Sequence, residues 1–344
     1  MGLALMLMLL LAGLWAGVQE RVTTYEDHLA VDLVVLLTGS RHLFADPGLL
    51  RTPTVDAIAR TPGVAQTARL RTLYEILELP HGKAAVAAVA YEPASGLGGP
   101  WDLAGGRSPA TGNEIAVDAL WAAQHEVAIG DRLPVLGHPM RVVGLTDDTD
   151  LFMTPLVFTT MTGMDQMLRA TGSTGAVLVT TADPQGVAAR LEGAGYTVRS
   201  PAQLHETSLR LATDIYGPPM RLMVGVAFAA GTLVVTLVAY TRISEQQRDL
   251  GVLKALGATP GRLRRIAVTE TMALTALGTL AAIVLLVVAR ELLAWWRPSF
   301  PVVLTTRTIT RTASAAVGMA LLAAWLPARR LGRLDAASAF RSGR

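Results

Sequence analysis

Three uncharged apolar runs constrain this chain more than any other feature in it. Residues 3–18 (LALMLMLLLAGLWAGV), 222–241 (LMVGVAFAAGTLVVTLVAYT) and 271–289 (TMALTALGTLAAIVLLVVA) contain no Asp, Glu, Lys or Arg. A helix that crosses a bilayer needs about 20 mostly apolar residues. Leu, Val and Ala surround each of these helices on every side, whereas a core helix of a soluble domain would keep a polar face. A fourth run, 312–327 (TASAAVGMALLAAWLP), is shorter and weaker. Composition agrees: 51% of the 344 residues are hydrophobic and only 17% are charged, against about 25% charged in ordinary soluble domains.

The first run reads as an uncleaved anchor. A secretory signal would show a basic start and a small-x-small cleavage site, but no Lys or Arg precedes the run and Trp15 sits where cleavage would fall. The missing basic flank raises the expectation of a start upstream of Met1.

Lys and Arg in short flanks set membrane orientation. Residues 242–265 hold Arg242, Arg248, Lys254, Arg262, Arg264 and Arg265 against Glu245 and Asp249. The tail from Pro327 holds Arg329, Arg330, Arg333, Arg341 and Arg344 against Asp335. Both flanks read as cytoplasmic. The second and third runs then form a hairpin with its loop inside, the fourth returns the chain inside, and residues 19–216 lie outside. Trp15, Trp295 and Trp296 fall at expected outer helix ends, and Tyr240 and Trp325 at inner ones, where aromatic residues favour the interface. Small residues Gly225, Ala227, Ala229 and Gly231 would allow the second helix to pack closely on a neighbour.

Net charge supports the same division. The chain carries a formal +3, but residues 1–216 have 14 basic against 22 acidic groups (−8) and residues 217–344 have 16 against 5 (+11). The basic excess falls on the cytoplasmic flanks, where anionic lipid and a partner protein would meet it.

Residues 19–216 have soluble character and predict an α+β domain. Residues 32–37, 84–91, 114–117, 141–144 and 176–180 read as strands. Residues 184–193 read as a helix with Asp183 as N-cap, Pro184 at its first position and Gly193 at its end. With no cysteine, this domain holds no disulfide and no zinc–thiolate site. Its histidines (His28, His42, His81, His125, His138, His205) form no HxxxH or HExxH pair. Asp147, Asp148 and Asp150 lack the Gly and distal Glu of a calcium loop and read as a solvated turn. No G-x-S-x-G elbow occurs. No catalytic constellation emerges, which argues against a membrane-anchored enzyme.

The most specific stretch follows the second apolar run: RISEQQRDLGVLKALGATPGRLRRIAVTE, residues 242–270. Ile243, Leu250, Leu253 and Leu256 share one helical face and Arg242, Gln246 and Asp249 lie opposite. Gly257 can end that helix, and Thr259-Pro260 can start the next as N-cap and first residue. Such a helix could lie on lipid headgroups or dock a cytoplasmic partner. Glu270, near the membrane edge, reads either as functional or as an interfacial carboxylate paired with Arg264 or Arg265.

Residues 245–258 resemble the signature of FtsX-like and MacB-like ABC-transporter permeases, roughly E-x-x-R-E-[IL]-G-x-[LR]-[KR]-A-[LI]-G-A. The matching positions are Glu245, Arg248, Asp249, Leu250, Gly251, Leu253, Lys254, Ala255, Leu256, Gly257 and Ala258, with Asp249 replacing the usual Glu. Glu270 matches the acidic residue usual at the start of the next helix. Pro327-Ala328-Arg329-Arg330, Leu334-Asp335-Ala336 and Ala339-Phe340-Arg341 are similar to the family's tail, with Ala336 in place of Pro. Further pieces that look like the family are Asp32 to Val35, Pro62-Gly63-Val64, Gly106-Arg107-Ser108-Pro109 with Glu114, Gly130-Asp131 and Val142-Val143-Gly144. The family's basic N-terminal cytoplasmic helix is missing.

The resemblance implies an α-helical membrane protein with four transmembrane helices (1–18, 217–241, 266–289, 309–327). An α+β extracytoplasmic domain of MacB-type periplasmic core, residues 19–216, is inserted between helices 1 and 2. A coupling loop (242–265), a short outer loop (290–308) and a basic cytoplasmic tail (328–344) complete the chain. It implies a multi-pass protein of the bacterial cytoplasmic membrane, a permease homodimer or a pair of homologous permeases, and a separate cytoplasmic ABC ATPase docked on residues 245–258. The chain lacks G-x-x-x-x-G-K-[ST], so ATP and Mg are expected on that partner. No cofactor, metal or nucleic acid is expected here. The implied function is coupling of ATP hydrolysis to export or mechanical work outside; the alternative is an FtsX-type regulator that activates a cell-wall hydrolase without transport. The size of the outer domain favours the first.

Overall fold

The computed structural model describes the chain except for residues 1, 47, 81, 246–251, 253–255, 257–258, 297–301, 304 and 332–344. It divides into two units: Gln19–Ile215, and Met1–Val18 together with Tyr216–Arg344.

The first unit is a mixed α+β domain. In chain order it has α2 (Thr24–Asp27), β1 (Leu33–Leu36), β2 (Leu50–Arg51), α3 (Thr52–Ala59), β3 (Val64–Leu79), β4 (Gly82–Tyr91), a 3-10 turn at Pro93–Ser95, β5 (Leu103–Gly106) and β6 (Glu114–Asp118). There follow α4 (Ala119–Gln124), β7 (Arg132–Val135), β8 (His138–Thr146), β9 (Asp150–Leu151), β10 (Thr154–Thr160), α5 (Met161–Leu168), β11 (Ser173–Thr174), β12 (Ala176–Thr181), α6 (Pro184–Gly193) and β13 (Thr197–Arg199). The main sheet runs β13-β1-β12-β3-β4-β10-β6-β8-β5, with β7 beside β8 and β9 beside β10. The β10–β4 and β6–β8 pairs are parallel and the other main-sheet pairs antiparallel.

The strands form where apolar residues run together or alternate. β1 and β6 are buried along their whole length, as a strand covered on both faces must be. β3 joins two halves of the sheet: residues 64–70 pair with β12 and residues 71–79 with β4. β10 is a central strand buried from Pro155 on. Apolar clusters lie on the sheet's faces, one around Tyr25, Leu70, Leu156, Phe158 and Leu178 and another around Leu77, Val117, Trp121, Val142 and Met164.

α6 starts as expected, with Asp183 accepting from the Gly186 amide and Pro184 at its first position. Gly193 is its last residue, but the left-handed turn after it falls at Gly195, at φ +90°. The acidic run is a solvated bend at Asp147 and Asp148, both exposed, while Asp150 is half-buried. Asp148 and Asp150 both bind Arg21, at 3.1 and 2.5 Å, and Asp150 belongs to β9. The Arg21 guanidinium holds Asp150 across more than a hundred residues, a pairing that no local pattern shows.

The second unit contains α1 (Gly2–Val22), the apolar part of α7 (Pro201–Glu245), α8 (Pro260–Trp296) and α9 (Thr306–Leu331). α1 and α7 run on into the first unit. Among the described residues three helices are long and apolar enough to cross a membrane, through Leu5–Val22, within Pro201–Val238, and through Ala276–Leu293. α9 is helical, but its Arg- and Thr-rich start lowers its hydropathy. Leu5, Met8 and Leu9 of α1, Ala227 of α7, Ala282 and Leu286 of α8, and Ala316 and Met319 of α9 share one buried cluster.

α7 starts well before residue 217. Its first turn is a capping box: Ser200 Oγ accepts from the Gln203 amide, Gln203 Oε1 accepts from the Ser200 amide, and Pro201 is the first helical residue. Leu204 and Ala212 are buried at helical spacing. The helix then passes Pro218-Pro219, which contribute no amide hydrogen to its ladder.

Candidate functional site

The loop between α7 and α8 begins where the apolar stretch of α7 gives out. α7 ends at Glu245, whose side chain is exposed. Beyond it Val252 is helical, and the Leu256 amide donates to the Val252 carbonyl at 2.9 Å. Val252 is 42% and Leu256 80% exposed. Two apolar side chains are thus left open to solvent between the helices. α8 then starts at Pro260, directly after exposed Thr259, and the Arg262 amide donates to the Thr259 carbonyl. Arg262 and Arg265 are exposed on its first turns. Of the signature residues, Arg248, Asp249, Leu250, Gly251, Leu253, Lys254, Ala255, Gly257 and Ala258 lie outside the described residues. So do Leu334, Asp335, Ala336, Ala339, Phe340 and Arg341 of the tail. Glu270 lies within α8.

The small residues of α7 separate into two faces. Ala227 and Gly231 are buried, while Gly225 and Ala229 are exposed and a Cβ on Gly225 would meet nothing within 4 Å.

The sequence pieces quoted from the unit Gln19–Ile215 meet in two places. At one, Arg107 forks onto Glu114, with Nη1 at 2.8 Å from Oε2 and Nη2 on Oε1. Glu114 Oε2 also accepts from the amides of Ala110 and Thr111. These donors hold the carboxyl down at about 2, the Arg107 bonds being the largest cause. Here β5 lies against β8 backbone to backbone. A Cβ on Gly144 would collide with the Arg107 carbonyl, and one on Gly106 with that of Val143. Gly130 donates to the Val142 carbonyl and Val142 to that of Asp131. At the other place, Asp32 Oδ2 accepts from the Thr181 amide and Thr181 Oγ1 donates to the Gly63 carbonyl. Both constellations lock strand ends.

Among the described residues no three His, Asp or Glu gather at metal-binding distance. Three histidines are engaged singly: His28 stacks on Trp101, His125 on Trp121, and His205 Nδ1 lies 2.7 Å from Asp27 Oδ1. His81 lies outside the described residues. Sequence reasoning passed over Glu26, which is 2% exposed on α2. Its only sequence signal is an acidic pair a few residues past an apolar run.

Residues 221–336 match the family model of the FtsX-like permease C-terminal domain. An uncharacterized ABC transporter permease of Mycobacterium tuberculosis, present in strains CDC 1551 and H37Rv, is 27% identical over 346 residues, covering 98% of this chain and 93% of its own. Among solved structures, the periplasmic region of MacB from Actinobacillus actinomycetemcomitans is 12% identical, with a TM-score of 0.39 over 52% of this chain and 93% of that one. The extracellular domain of the noncanonic ABC-type transporter YknZ from Gram-positive bacteria is 14% identical, with a TM-score of 0.38 over 49% and 99%. TM-scores of that size do not by themselves establish a common fold. The stretch from the apolar part of α7 through α9, with the loop between α7 and α8, is thus similar to the FtsX-like permease C-terminal domain, and nearly the whole length of the chain is similar to a curated ABC transporter permease.

Proposed function

We propose that this permease couples ATP hydrolysis by a separate cytoplasmic ABC ATPase to conformational work outside the membrane, with residues 245–258 as the element the ATPase grips. The single observation that carries the reading is the loop itself. It bears the signature in sequence, it lies inside the matched family region, and it leaves Val252 and Leu256 exposed between two long helices. An exposed Leu flanked by Arg and Lys suits a partner pocket with an apolar floor and an acidic rim. ATP and Mg belong to the partner in this reading. Closure of two ATPase subunits would displace the docked helix and move the ends of α7 and α8 with it.

Four transmembrane helices, with both termini cytoplasmic and residues 19–216 outside, fit the charge distribution. The cluster shared by α1, α7, α8 and α9 supports α9 as the fourth. Exposed Gly225 and Ala229 suit close packing against a second permease copy in a dimer.

Leu256→Asp tests the docking element, because an exposed position carries little folding cost. With the cognate ATPase co-purified in nanodiscs, the substitution is expected to weaken capture at least about tenfold and to remove permease-stimulated ATP turnover. Leu250→Asp and Leu253→Asp should do the same. Unchanged capture and unchanged stimulation in all three would refute the assignment.

A further inference from the structure

The Glu26 carboxyl is sealed between α2 and α7. Its Oε1 accepts from Ser208 Oγ at 2.8 Å. Its Oε2 is buried and has no hydrogen-bond partner among the described residues. Charged groups surround it but do not neutralise it. His205, one turn before Ser208 on α7, turns to Asp27 instead. Also on α7, Glu206 and Arg210 pair with each other at 2.6 Å in solvent, and Asp214 lies beyond them. From β9, Asp150 is taken by Arg21. On its own side, His28 stacks on Trp101 and the buried Tyr25 hydroxyl donates to the Gly98 carbonyl. Burial therefore dominates. It pushes the Glu26 carboxyl from an ordinary 4.5 up to about 7, against smaller opposing contributions from Ser208 and His205.

We propose that Glu26 is a protonation latch between α2 and α7: the neutral acid keeps the two helices in contact, and ionisation loosens that contact. A neutral carboxyl at this place satisfies Ser208 and leaves one polar atom bare. A carboxylate leaves a full charge with one donor and no counter-ion, which a low-polarity setting penalises severely. α2 follows α1 in the chain, and Ser208 lies on the helix that continues into the next apolar stretch. The latch thus closes on the two segments by which the chain enters and leaves the outer unit. Because the folded-state pKa is raised above the unfolded value, the latch's stabilisation is complete below about 4.5 and is lost as pH rises through about 7. The device would make the outer domain responsive to acidity on its own side of the membrane.

The test is hydrogen exchange by mass spectrometry on the full chain in lipid nanodiscs, from about pH 5.5 to about 8.5, corrected for intrinsic exchange. In the wild type, peptides over residues 23–29 and 204–212 are expected to exchange at least about tenfold faster at the alkaline end, with a midpoint near 7. Glu26→Gln, uncharged at every pH, is expected to stay protected throughout. Ser208→Ala removes a bond that favours the carboxylate, and should raise the midpoint. His205→Gln should keep the transition. A wild type that is flat across the range, or a transition that survives in Glu26→Gln, overturns the proposal. If Glu26→Gln fails to fold, an unmoved midpoint in Ser208→Ala overturns it equally.

Discussion

Glu114 shows what one residue of the unit Gln19–Ile215 contributes. The fork from Arg107 and the amides of Ala110 and Thr111 converge on a carboxyl that is only 7% exposed. They depress its pKa to about 2. A depressed carboxylate stabilises the fold above its ordinary pKa and gives up that contribution as pH falls toward the folded value. Glu114→Gln keeps the shape but loses the charge. It is expected to lower outer-domain stability by about 1–3 kcal/mol at neutral pH and to flatten the loss of stability between about pH 4.5 and about pH 2. Urea denaturation of the full chain in nanodiscs, followed by tryptophan fluorescence at both ends of that range, reads both effects; equal acid sensitivity in the variant would refute them. The sequence marked Glu114 only through its resemblance to a family pattern. The reason for it, a strand end tied to the loop from Arg107 to Thr111, needed the strands in place.

Among the elements, the readable strands were those with continuous apolar runs. β1, β6 and β12 stand within a residue or two of residues 32–37, 114–117 and 176–180, because burial on both faces favours adjacent apolar residues, as in Leu33–Leu36, Ile115–Val117 and Ala176–Val179. β3 escaped notice since its Arg69, Arg71, Glu75 and Glu78 alternate with apolar residues across two different pairings. β10 escaped because Thr and Pro interrupt its apolar residues, although it is the central strand between β4 and β6. The first turns of α7 carried a readable capping box at Ser200 and Gln203, masked by the polar residues that follow. Two substitutions probe these elements. Phe158 on β10 is fully buried and meets Trp101 edge-on at 5.8 Å, so Phe158→Ala should cost about 3–5 kcal/mol. Gly144→Ala forces a methyl group into the Arg107 carbonyl, and a backbone obstacle cannot rotate away. It should cost at least about 1–3 kcal/mol and part β5 from β8. Backbone exchange at residues 103–106 would separate the two: raised before global unfolding in Gly144→Ala, and raised only together with global unfolding in Phe158→Ala.

For the molecule as a whole, charge and hydropathy divide the chain at almost the same places as its contacts do. The unit Gln19–Ile215 holds nearly all the net negative charge. The other unit holds the apolar helices, and its basic residues crowd between α7 and α8 and after α9. Apolar side chains on α7 and α8, such as Leu222, Leu233, Leu280 and Val284, are exposed, and in water such surface would drive aggregation. In hydrocarbon it costs nothing, and the regular helix is the form that leaves no backbone group bare there. The proposed sidedness, read from where Arg and Lys sit, is open to direct measurement, since the chain has no cysteine to remove. Ala94 is exposed on the 3-10 turn of the outer domain, and Thr259 is exposed in the loop before α8. Ala94→Cys should react with a membrane-impermeant maleimide in intact spheroplasts. Thr259→Cys should react only once the membrane is opened, and then more slowly when the ATPase is bound. Labelling of Thr259→Cys from outside would invert the topology and, with it, remove the loop from any cytoplasmic partner.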